Sequence, residues 1–285
     1  MLKADLHIHT NASDGLLTSE EVVQWAIKKR MKAIAITDHD TVNGIDKAIK
    51  AASQDIACNS KSNQQLEVIP GIELSTEYQG EEIHILGYFI DYKSTYLLEL
   101  LYKIHDSRHN RAERMIDKLN SLGIEITLEQ VKSIAEKGII GRPHIARAMI
   151  DKGYIGNIKE AFDKYIGKGE PAYVERYKLT CQEAVEIIKH VGGVPVLAHP
   201  GLISRNIKLN EIMDMGIKGL EVYHSKHTDE TVNKMLQIAH ARKFVITGGS
   251  DCHGVFMNNE PILGSVWVDY KNVQELKELS KYFLN

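Results

Sequence analysis

Ala4-Asp5-Leu6-His7-Ile8-His9-Thr10 opens the chain, and Asp14-Gly15 follows a few residues later. If Leu6 and Ile8 point to one side of a β-strand, a period of two residues places His7 and His9 together on the other side, with Cα atoms about 7 Å apart. Both imidazoles could then bind one metal ion. A single His-x-His is weak evidence, because such a pair is as often a hydrogen-bonded structural pair, so the metal interpretation depends on partners elsewhere in the chain.

The bulk properties are those of an ordinary globular protein. The chain has 285 residues, of which 43% are hydrophobic and 26% charged, and its formal net charge is −3. This length allows one barrel-sized domain, or one domain with an insertion. The nearly balanced charge argues against binding of duplex DNA through bulk electrostatics, although a local basic patch could still hold a nucleotide or a short oligonucleotide.

Neither a leader sequence nor a membrane span is indicated. The first residues run directly into a predicted strand, and no apolar run is long enough to cross a bilayer, so we expect a cytoplasmic protein without membrane contact. The cysteines Cys58, Cys181 and Cys252 are far apart and lack a Cys-x-x-Cys spacing. They therefore suggest neither a disulfide framework nor a thiolate zinc site, and Cys252 is interpreted as a small residue at a strand end.

Strand and helix patterns alternate along both ends of the chain. Thr18-Ser19-Glu20-Glu21 predicts a capped helix start, and the apolar run Ala33–Thr37 predicts a buried strand that ends at Asp38-His39-Asp40. Further strands are predicted over residues 66–69, 83–89, 194–200, 220–224, 244–249 and 265–270, with a polar loop over 59–65. Beyond Gln79-Gly80, the strand over 83–89 is predicted to form a hairpin with the strand before it. Such alternation predicts a parallel sheet closed into a barrel, whose strand ends meet on one face.

The middle of the chain has a different character. Residues 94–179 show helical patterns rich in Lys, Arg and Glu, over 96–122, 128–136, 143–152 and 158–165. A helical block inside an alternating chain predicts an inserted subdomain. We therefore expect a barrel built from residues 1–93 and 180–285, with a substrate-capping helical subdomain over 94–179.

Nine potential metal ligands fall where strands are predicted to end. Each alone has an ordinary interpretation, since His84 could be a core histidine, Glu73 a buried ion-pair partner and Asp251 a helix cap. Burying so many imidazoles and carboxylates on one face without metal would be very costly, and their number exceeds the needs of one ion. Together they predict a multinuclear metal centre formed by His7, His9, Asp14, His39, Glu73, His84, His199, Asp251 and His253.

The combination of motifs resembles the polymerase and histidinol phosphatase (PHP) family of metal-dependent phosphoesterases. The resemblance rests on residues 5–10, Thr37-Asp38-His39-Asp40, Gly71-Ile72-Glu73, His84, His199-Pro200 and Ser250-Asp251-Cys252-His253. It implies an α/β fold, a distorted (β/α)7 barrel holding three divalent metal ions. By position, the first ion would be bound by His7, His9, Glu73 and Asp251, the second by Asp14, His39 and His253, and the third by Glu73, His84 and His199.

One motif of the insertion narrows the resemblance. Gly141-Arg142-Pro143-His144-Ile145-Ala146-Arg147 resembles the segment that binds the substrate phosphate in the PHP members acting on nucleotides. Independently of the family, a helix N-terminus beside Arg142 and His144 is suited to binding an anion. The alternative is an ordinary capped surface helix with exposed basic residues. His224, predicted on the active face, is a further candidate for contact with phosphate or a leaving-group oxygen.

The resemblance implies a phosphoric ester hydrolase that acts through a metal-bridging hydroxide, with Arg142 neutralising charge on the phosphoryl oxygens. His199, His224 and Asp40 are candidates for protonating the leaving alkoxide. We expect a nucleoside 3′,5′-bisphosphate as substrate, and short 5′-phosphorylated RNA as a second one. Mn²⁺ is the favoured metal, ahead of Zn²⁺, Fe²⁺ and Mg²⁺.

Three alternatives stay open on the sequence alone. Within the same enzyme class, the substrate could be histidinol phosphate. The domain could instead be non-catalytic and bind metal only to stabilise a larger assembly, although its ligand set is intact. A metal-dependent amidohydrolase lacks an obvious lysine at a strand end that could become a carbamylated bridge. The sequence does not determine the oligomeric state or the base preference.

Overall fold

The computed structural model describes residues 2–58, 65–135, 140–175 and 179–283. The chain forms two compact units, one of Met1–Leu98 with Lys178–Asn285 and one of Glu99–Tyr177. We call the first the barrel unit and the second the helical unit. Apart from Gln65, the loop predicted over residues 59–65 lies outside the described residues.

The strands belong to the barrel unit. They are β1 (Lys3–Ile8), β2 (Ala33–Ile36), β3 (Glu67–Tyr78), β4 (Glu81–Tyr88), β5 (Leu179–Thr180), β6 (Val194–Leu197), β7 (Gly219–His224), β8 (Val245–Gly249), β9 (Phe256–Met257), β10 (Glu260–Pro261) and β11 (Val268–Asp269). The main sheet has the order β11-β1-β2-β3-β4-β6-β7-β8, with β5 beside β3, while β9 and β10 form a separate hairpin.

The main sheet curls until its ends nearly meet. His9 N donates to Cys252 O at 3.0 Å, and Cys252 N donates to His7 O at 3.3 Å, so the end of β1 is joined to the segment that follows β8. This nearly closed sheet of nine strands confirms the predicted distorted barrel.

The predicted hairpin between β3 and β4 is present, and the predicted parallel pairing of the main sheet is broken at two strands, since β4 is antiparallel to both β3 and β6 and β11 is antiparallel to β1. β3 is one strand of 12 residues that continues through Pro70-Gly71. Its first part pairs in parallel with β2, and its second part forms a hairpin with β4. The two-residue turn Gln79-Gly80 has positive φ angles of 52° and 85°, which suit a tight hairpin connection.

The helices follow the predicted alternation. They are α1 (Ser19–Lys28), α2 (Ile45–Cys58), α3 (Thr95–Ser121), α4 (Leu128–Ala135), α5 (Arg142–Asp151), α6 (Ile158–Ala161), α7 (Cys181–His190), α8 (Leu209–Met213), α9 (Asp229–Arg242) and α10 (Tyr270–Ser280). Thr18 caps α1 in a reciprocal capping box with Glu21, as its sequence predicted. No helix in the described part of the chain is both long and apolar enough to cross a membrane.

The helical unit contains most of α3 together with α4, α5 and α6. α6 ends at Ala161 and continues as a π-helical turn over Phe162–Ile166, where a single helix to Tyr165 was expected. The buried side chains of its core are all apolar, and they include Met115, Leu119, Ile145 and Met149. This unit therefore has a hydrophobic core of its own.

An apolar cluster inside the barrel unit lies directly beneath the polar site. Leu86 belongs to this cluster and is the register partner of Glu73, so the two side chains share one face of the β3–β4 pair. Leu6 also belongs to the cluster, whereas the adjacent His7 contacts Glu73. His7 and His9 both contact Glu73, as the alternation along β1 predicted, and the pairing of β1 with β2 shifts register between Asp5 and Ile8.

Candidate metal centre

Seven imidazoles gather at one end of the barrel unit. Neighbouring ring centroids lie 4.2 Å apart for His9 and His253, 4.6 Å for His9 and His39, and 4.9 Å for His39 and His84. The ring centroid of His199 lies 5.2 Å from that of His84, and His224 is the next ring beyond His199. The ring centroid of His7 lies 5.1 Å from that of His9. Strand ends supply most of these side chains, but His84 lies within β4 and Glu73 within β3. The expectation that every ligand follows a strand end is therefore wrong for these two.

Glu73 occupies the middle of the cluster. Its side chain is 1% exposed, and its Oε2 lies 3.1 Å from His7 Nε2, 3.3 Å from His9 Nε2 and 3.2 Å from His39 Nδ1. Its other oxygen, Oε1, lies 3.0 Å from His84 Nδ1 and 3.1 Å from His199 Nε2. One carboxylate thus faces two sets of imidazoles, which is the arrangement that a bridging ligand requires.

Asp14 and Asp251 border the cluster on two sides. Asp14 Oδ2 lies 3.3 Å from His253 Nε2, and Asp251 Oδ1 lies 3.2 Å from His9 Nε2. Four groups have ligand atoms close enough to share an ion. These groups are His9, Asp14, His39 and His253; His7, His224 and Asp251; His7, His9 and Glu73; and His39, Glu73 and His84.

The donor set fits divalent metal ions. Both ring nitrogens of His9, together with Nδ1 of His39 and Nδ1 of His84, are buried and make no hydrogen bond. The Nδ1 atoms of His39 and His84 nevertheless lie 3.2 and 3.0 Å from Glu73 oxygens. Two ligands of one ion, each bound at about 2.0–2.2 Å, are separated by about 3–3.5 Å. Ions held between these atoms would satisfy nitrogens that the protein leaves without partners.

Several imidazoles are also held in the tautomer that ligation needs. Nδ1 of His7 donates to Glu221 at 2.9 Å, and Nδ1 of His253 donates to the carbonyl of Asp251 at 3.0 Å. Nε2 of His84 lies 3.3 Å from Glu82. In each ring the second nitrogen points towards Glu73 or Asp14, where its lone pair would bind an ion, as hydrogen bonds to the outer nitrogen of metal-binding histidines commonly arrange.

Comparison with known proteins identifies the family. The PHP domain model matches residues 5–193. The chain belongs to the PHP domain family. The 5′-3′ exoribonuclease Rnm of Escherichia coli (strain K12) is similar, with 33% identity over 254 residues that cover 87% of this chain and 84% of the relative. A 3′,5′-nucleoside bisphosphate phosphatase of Chromobacterium violaceum is 30% identical over 259 residues, which cover 89% of this chain and 88% of the relative.

Solved PHP structures share the fold. A Bifidobacterium adolescentis protein assigned as a metal-dependent phosphoesterase superposes with a TM-score of 0.75 at 30% identity, covering 96% of this chain and 94% of that chain. The predicted family, the predicted fold and the class of phosphoric ester hydrolase are thereby confirmed. The number and identity of the metal ions stay predictions.

The electrostatics of this PHP site favour positive charge around Glu73. Burial raises the pKa of Glu73, but the surrounding imidazoles, those of His39 and His7 first, hold that pKa well below its usual range. Burial, together with the neighbouring imidazoles of His9 and His84, lowers the pKa of His39 to about 4. Burial also lowers the pKa of His84, yet Glu73 outweighs it and raises the value to about 10.

Glu221 is a residue of the site that the sequence interpretation missed. It is fully buried at the start of β7, where Oε1 accepts from His7 Nδ1 and Oε2 accepts from His199 N at 2.7 Å. One carboxylate therefore fixes the His7 ring and the backbone at His199. The available signal was a single acidic residue within the apolar strand Leu220-Glu221-Val222.

Asp5 and Asp38 are two further buried carboxylates that position candidate ligands. Asp5 accepts from Ser250 N at 2.9 Å and from Ser250 Oγ at 2.6 Å, which ties β1 to the segment carrying Asp251. Burial raises the pKa of Asp5 to about 6. Asp38 Oδ1 accepts from Thr10 N at 2.7 Å and holds the turn that leads to Asp14. Asp5 lies two residues before His7, so the period of two could have pointed to it.

Three non-glycine residues at the site have left-handed backbone conformations. These are Asp40 with φ 51°, His199 with φ 26° and Asp251 with φ 53°. Such conformations cost free energy and persist where surrounding contacts enforce them. Glu221 supplies one such contact at His199, and the turn at Asp251 aims its carboxylate at the imidazoles of His9 and His224.

The three candidates for protonating the leaving group are placed differently. His199 Nε2 faces Glu73, as a ligand would. Asp40 is 1% exposed, its Oδ1 accepts from Ser75 N at 2.9 Å, and it belongs to none of the four ligand groups. His224 Nδ1 accepts from the backbone N–H of Lys226 at 3.2 Å, so the neutral ring carries its proton on Nε2, 3.3 Å from Asp251 Oδ2.

Arg142 and His144 lie in the helical unit at the start of α5. The guanidinium carbon of Arg142 lies 5.0 Å from the ring centroid of Phe162 and 5.9 Å from that of Tyr173. Nδ1 of His144 accepts from Gly141 N at 3.0 Å, which leaves the proton of the neutral ring on Nε2. Both side chains thus present donors suited to an anion, and phosphate binding by them stays a prediction.

Proposed function

We propose that this chain hydrolyses phosphate monoesters of small nucleotides, of the nucleoside 3′,5′-bisphosphate type. The observation that carries this proposal is the buried Glu73 carboxylate, whose two oxygens face separate sets of imidazoles. A Chromobacterium violaceum relative that is 30% identical over most of both chains is named for that reaction. A multinuclear centre suits phosphoryl chemistry because several cations can neutralise the charge on the phosphoryl oxygens.

The candidate ligands are allotted to three divalent ions, with Mn²⁺ preferred. Glu73 would be shared between ions, the group around Asp14 together with Asp251, His7 and His9 would hold ions on one side, and His84 with His199 would complete the other side. When bound, such ions activate water for attack and stabilise charge on the phosphate. The protein itself contributes fixed orientation, because Glu221 and the carbonyl of Asp251 hold His7 and His253 in the tautomer that ligation requires.

His224 is the preferred group for protonating the leaving oxygen. It holds a proton on Nε2 beside Asp251, and its Nδ1 is fixed by the backbone of Lys226. A donor already oriented in this way gives up its proton without rearrangement of the ring. Asp40 is a weaker candidate because its carboxylate is hydrogen-bonded to the backbone of Ser75.

Short 5′-phosphorylated RNA is proposed as a second substrate. The specific observation in its favour is the 33% identity to a relative named as a 5′-3′ exoribonuclease. Arg142 and His144 are proposed to bind the substrate phosphate, since both present N–H donors at the N-terminus of α5. The same phosphate contacts would serve a nucleotide and the end of an RNA strand.

A phosphate-release screen tests the proposed function. Metal-stripped protein is reloaded with Mn²⁺, Mg²⁺ or Zn²⁺ and assayed on mononucleotides, 3′,5′-bisphosphates, short RNAs and histidinol phosphate. We expect release from the bisphosphates to be fastest, and Asp14→Ala to reduce it by about 100-fold or more. Metal binding without release from any substrate would favour a non-catalytic domain, and preference for histidinol phosphate would move the chain to that activity. Full activity in Asp14→Ala would contradict the hydrolytic scheme.

A further inference from the structure

The barrel unit exposes a compact apolar strip, formed by Leu16 and residues 255–257. The exposed fractions are 71% for Leu16, 55% for Val255, 50% for Phe256 and 63% for Met257. Across the described ranges, 255–257 is the one run of three consecutive large hydrophobic residues that are exposed. Scattered apolar side chains are normal on a protein surface, but a contiguous strip commonly marks a binding site.

The strip borders the candidate metal centre. Val255 follows two residues after His253, whose Nε2 lies 3.3 Å from Asp14 Oδ2. Leu16 N donates to His253 O at 2.9 Å, which joins the two parts of the strip beside the ligands. Three residues of extended chain span at most about 11 Å, so the Cα atom of Phe256 lies within that distance of the His253 Cα.

Phe256 is held by contacts rather than by burial. It lies in β9, which pairs with β10 through an Asn258-Asn259 turn with φ angles of 52° and 64°. Its ring packs against Trp25 of α1 in an edge-to-face contact, with centroids 5.9 Å apart and planes at 79°. The ring is therefore supported on one side while half of the side chain stays open to solvent.

Basic side chains flank this aromatic pair. Lys28 Nζ lies 4.0 Å from the Trp25 ring centroid and 3.3 Å from Glu260, and Lys29 Nζ lies 3.4 Å from the same carboxylate. Lys29 also donates to Pro261 O at 2.8 Å, which fastens the hairpin to α1. An open aromatic ring beside lysines is the combination that binds bases and backbones of single-stranded nucleic acids.

We propose that the strip binds the base of the nucleotide substrate, which stacks on Phe256 while its phosphate lies at the metal centre. This inference rests on the proposed function and adds a base-binding subsite to it. The chemistry requires a flat aromatic ligand attached to a phosphate, and it tolerates different bases because every base presents a π-face. Short RNA would place the first base of the strand on the same surface.

Equilibrium binding tests the subsite without turnover. The chain has two tryptophans, so a Trp267→Phe background leaves Trp25 as the fluorescent reporter beside Phe256. AMP and ribose 5-phosphate are titrated into Mn²⁺-loaded protein, and calorimetry gives affinities for the same variants. The variants are Phe256→Ala, Phe256→Tyr, which keeps an aromatic ring, and Tyr282→Ala, which removes an exposed aromatic side chain outside the strip and should leave both affinities unchanged.

We expect AMP to quench Trp25 and to bind at least about tenfold more weakly to Phe256→Ala, with affinity largely retained by Phe256→Tyr. Ribose 5-phosphate should bind all variants alike. Equal affinity of AMP and ribose 5-phosphate for the unmodified chain, or an unchanged AMP affinity in Phe256→Ala, would overturn the subsite. Self-association that is lost in Phe256→Ala without any effect on AMP would instead assign the strip to a second copy, and would also overturn it.

The outcomes separate this inference from the proposed function. If AMP binds through Phe256 but no nucleotide is hydrolysed, the subsite stands and the proposed reaction fails. If bisphosphates are hydrolysed and Phe256→Ala has the same KM on them as the unmodified chain, the reaction stands and the subsite fails. Melting temperatures of Phe256→Ala and Phe256→Tyr establish that the hairpin change leaves the barrel unit folded.

Discussion

The two units bury very different side chains. Within the described residues, every buried polar or charged side chain belongs to the barrel unit, among them Glu73, Glu221 and His7. The core of the helical unit is built from residues such as Met115, Leu119 and Ile145, without a buried charge among them. The helical unit therefore has the apolar interior expected of a stable fold. The barrel unit buries charged side chains, which stability alone does not explain.

The difference shows where each unit places its chemistry. Desolvating a carboxylate or an imidazolium costs several kcal/mol unless it is paired, so we expect bound cations to contribute to compensation in the polar interior of the barrel unit. In the helical unit, the basic groups of interest are Arg142 and His144, which are only partly buried. Changes in the barrel interior should thus have large effects on both metal binding and folding, and changes at the start of α5 should affect substrate binding alone.

The largest effect is expected at Glu73. Glu73→Gln keeps the size of the side chain but removes the charge that faces five imidazoles. We expect phosphate release to fall by about 1,000-fold or more, equivalent to about 4 kcal/mol of transition-state stabilisation. Bound metal, measured by elemental analysis, should fall in parallel.

An exposed glutamate of α1 provides the control for this change. Glu20→Gln removes the same charge from the barrel unit at a surface position, and it should leave both activity and metal content unchanged. If Glu73→Gln retained the full metal content, Glu73 would not be a bridging ligand, and the buried charge would need another explanation.

Removal of metal is expected to distinguish the two units. The tryptophans Trp25 and Trp267 both lie in the barrel unit, so their fluorescence follows that unit during unfolding. Metal present at about 100 times its dissociation constant stabilises a folded site by about 2.7 kcal/mol. Chelation should therefore lower the unfolding midpoint followed by tryptophan, and Mn²⁺ should restore it.

Helical circular dichroism supplies the comparison in the same experiment. Part of the ellipticity arises from the helical unit, whose apolar core has no need of a cation. If chelation left the tryptophan midpoint unchanged, the carboxylates and imidazoles of the barrel unit would compensate one another without metal. The proposed dependence of the barrel interior on cations would then be wrong.

Much of the barrel unit was predictable because its signals are local. His7-x-His9, the helix cap at Thr18, and the run Ala33–Thr37 that ends at His39 are each explained by neighbouring residues and by strand or helix periodicity. Strand ends in an alternating chain meet on one face, so partners as distant as His7 and Asp251 could be grouped without coordinates.

The remaining features depend on contacts between distant residues. Glu221 meets His7 across 214 positions, and a pairing at that separation is visible only once the sheet order is known. The hairpin of β3 with β4 was indicated locally by Gln79-Gly80, whereas the antiparallel pairings of β4 with β6 and of β1 with β11 join strands that are distant in sequence. The hairpin β9–β10 has strands of two residues each, too short for periodicity to reveal.

A smaller effect is expected at Glu221, which contacts the ligands from behind. Glu221→Gln keeps one acceptor oxygen but places an amide NH₂ against either His7 Nδ1–H or the His199 N–H. Loss of a hydrogen bond that orients a metal-binding histidine weakens metal affinity by about 10–100-fold. Competition with a chelator of known affinity measures the change.

The matched control for Glu221→Gln is Glu230→Gln, an exposed change in the first turn of α9. It should leave metal affinity unaltered. Unchanged affinity in Glu221→Gln as well would mean that the packing around His7 suffices to orient its ring, and that the Glu221 carboxylate serves only the backbone at His199.

The smallest effect is expected at Arg142, because its side chain is only partly buried. Arg142→Ala should raise KM for a nucleoside 3′,5′-bisphosphate by about tenfold, because one charge-assisted contact to phosphate is worth about 1.4 kcal/mol or more. The tryptophan unfolding midpoint and the metal content should not change, since the side chain lies in the helical unit against Phe162 and Tyr173. Steady-state kinetics with metal-saturated protein measures the shift.

Arg147 lies in the same helix, is exposed and carries the same charge, so Arg147→Ala separates local charge from specific phosphate contact. Equal KM values for the two variants would show that α5 acts only through its general positive charge. A fall in kcat for Arg142→Ala with no change in KM would indicate contact with phosphate only as charge develops in the transition state. A loss of metal in Arg142→Ala would contradict the separation of roles between the units. Removing a phosphate contact from the helical unit should not change the affinity of the barrel unit's ligands for their ions.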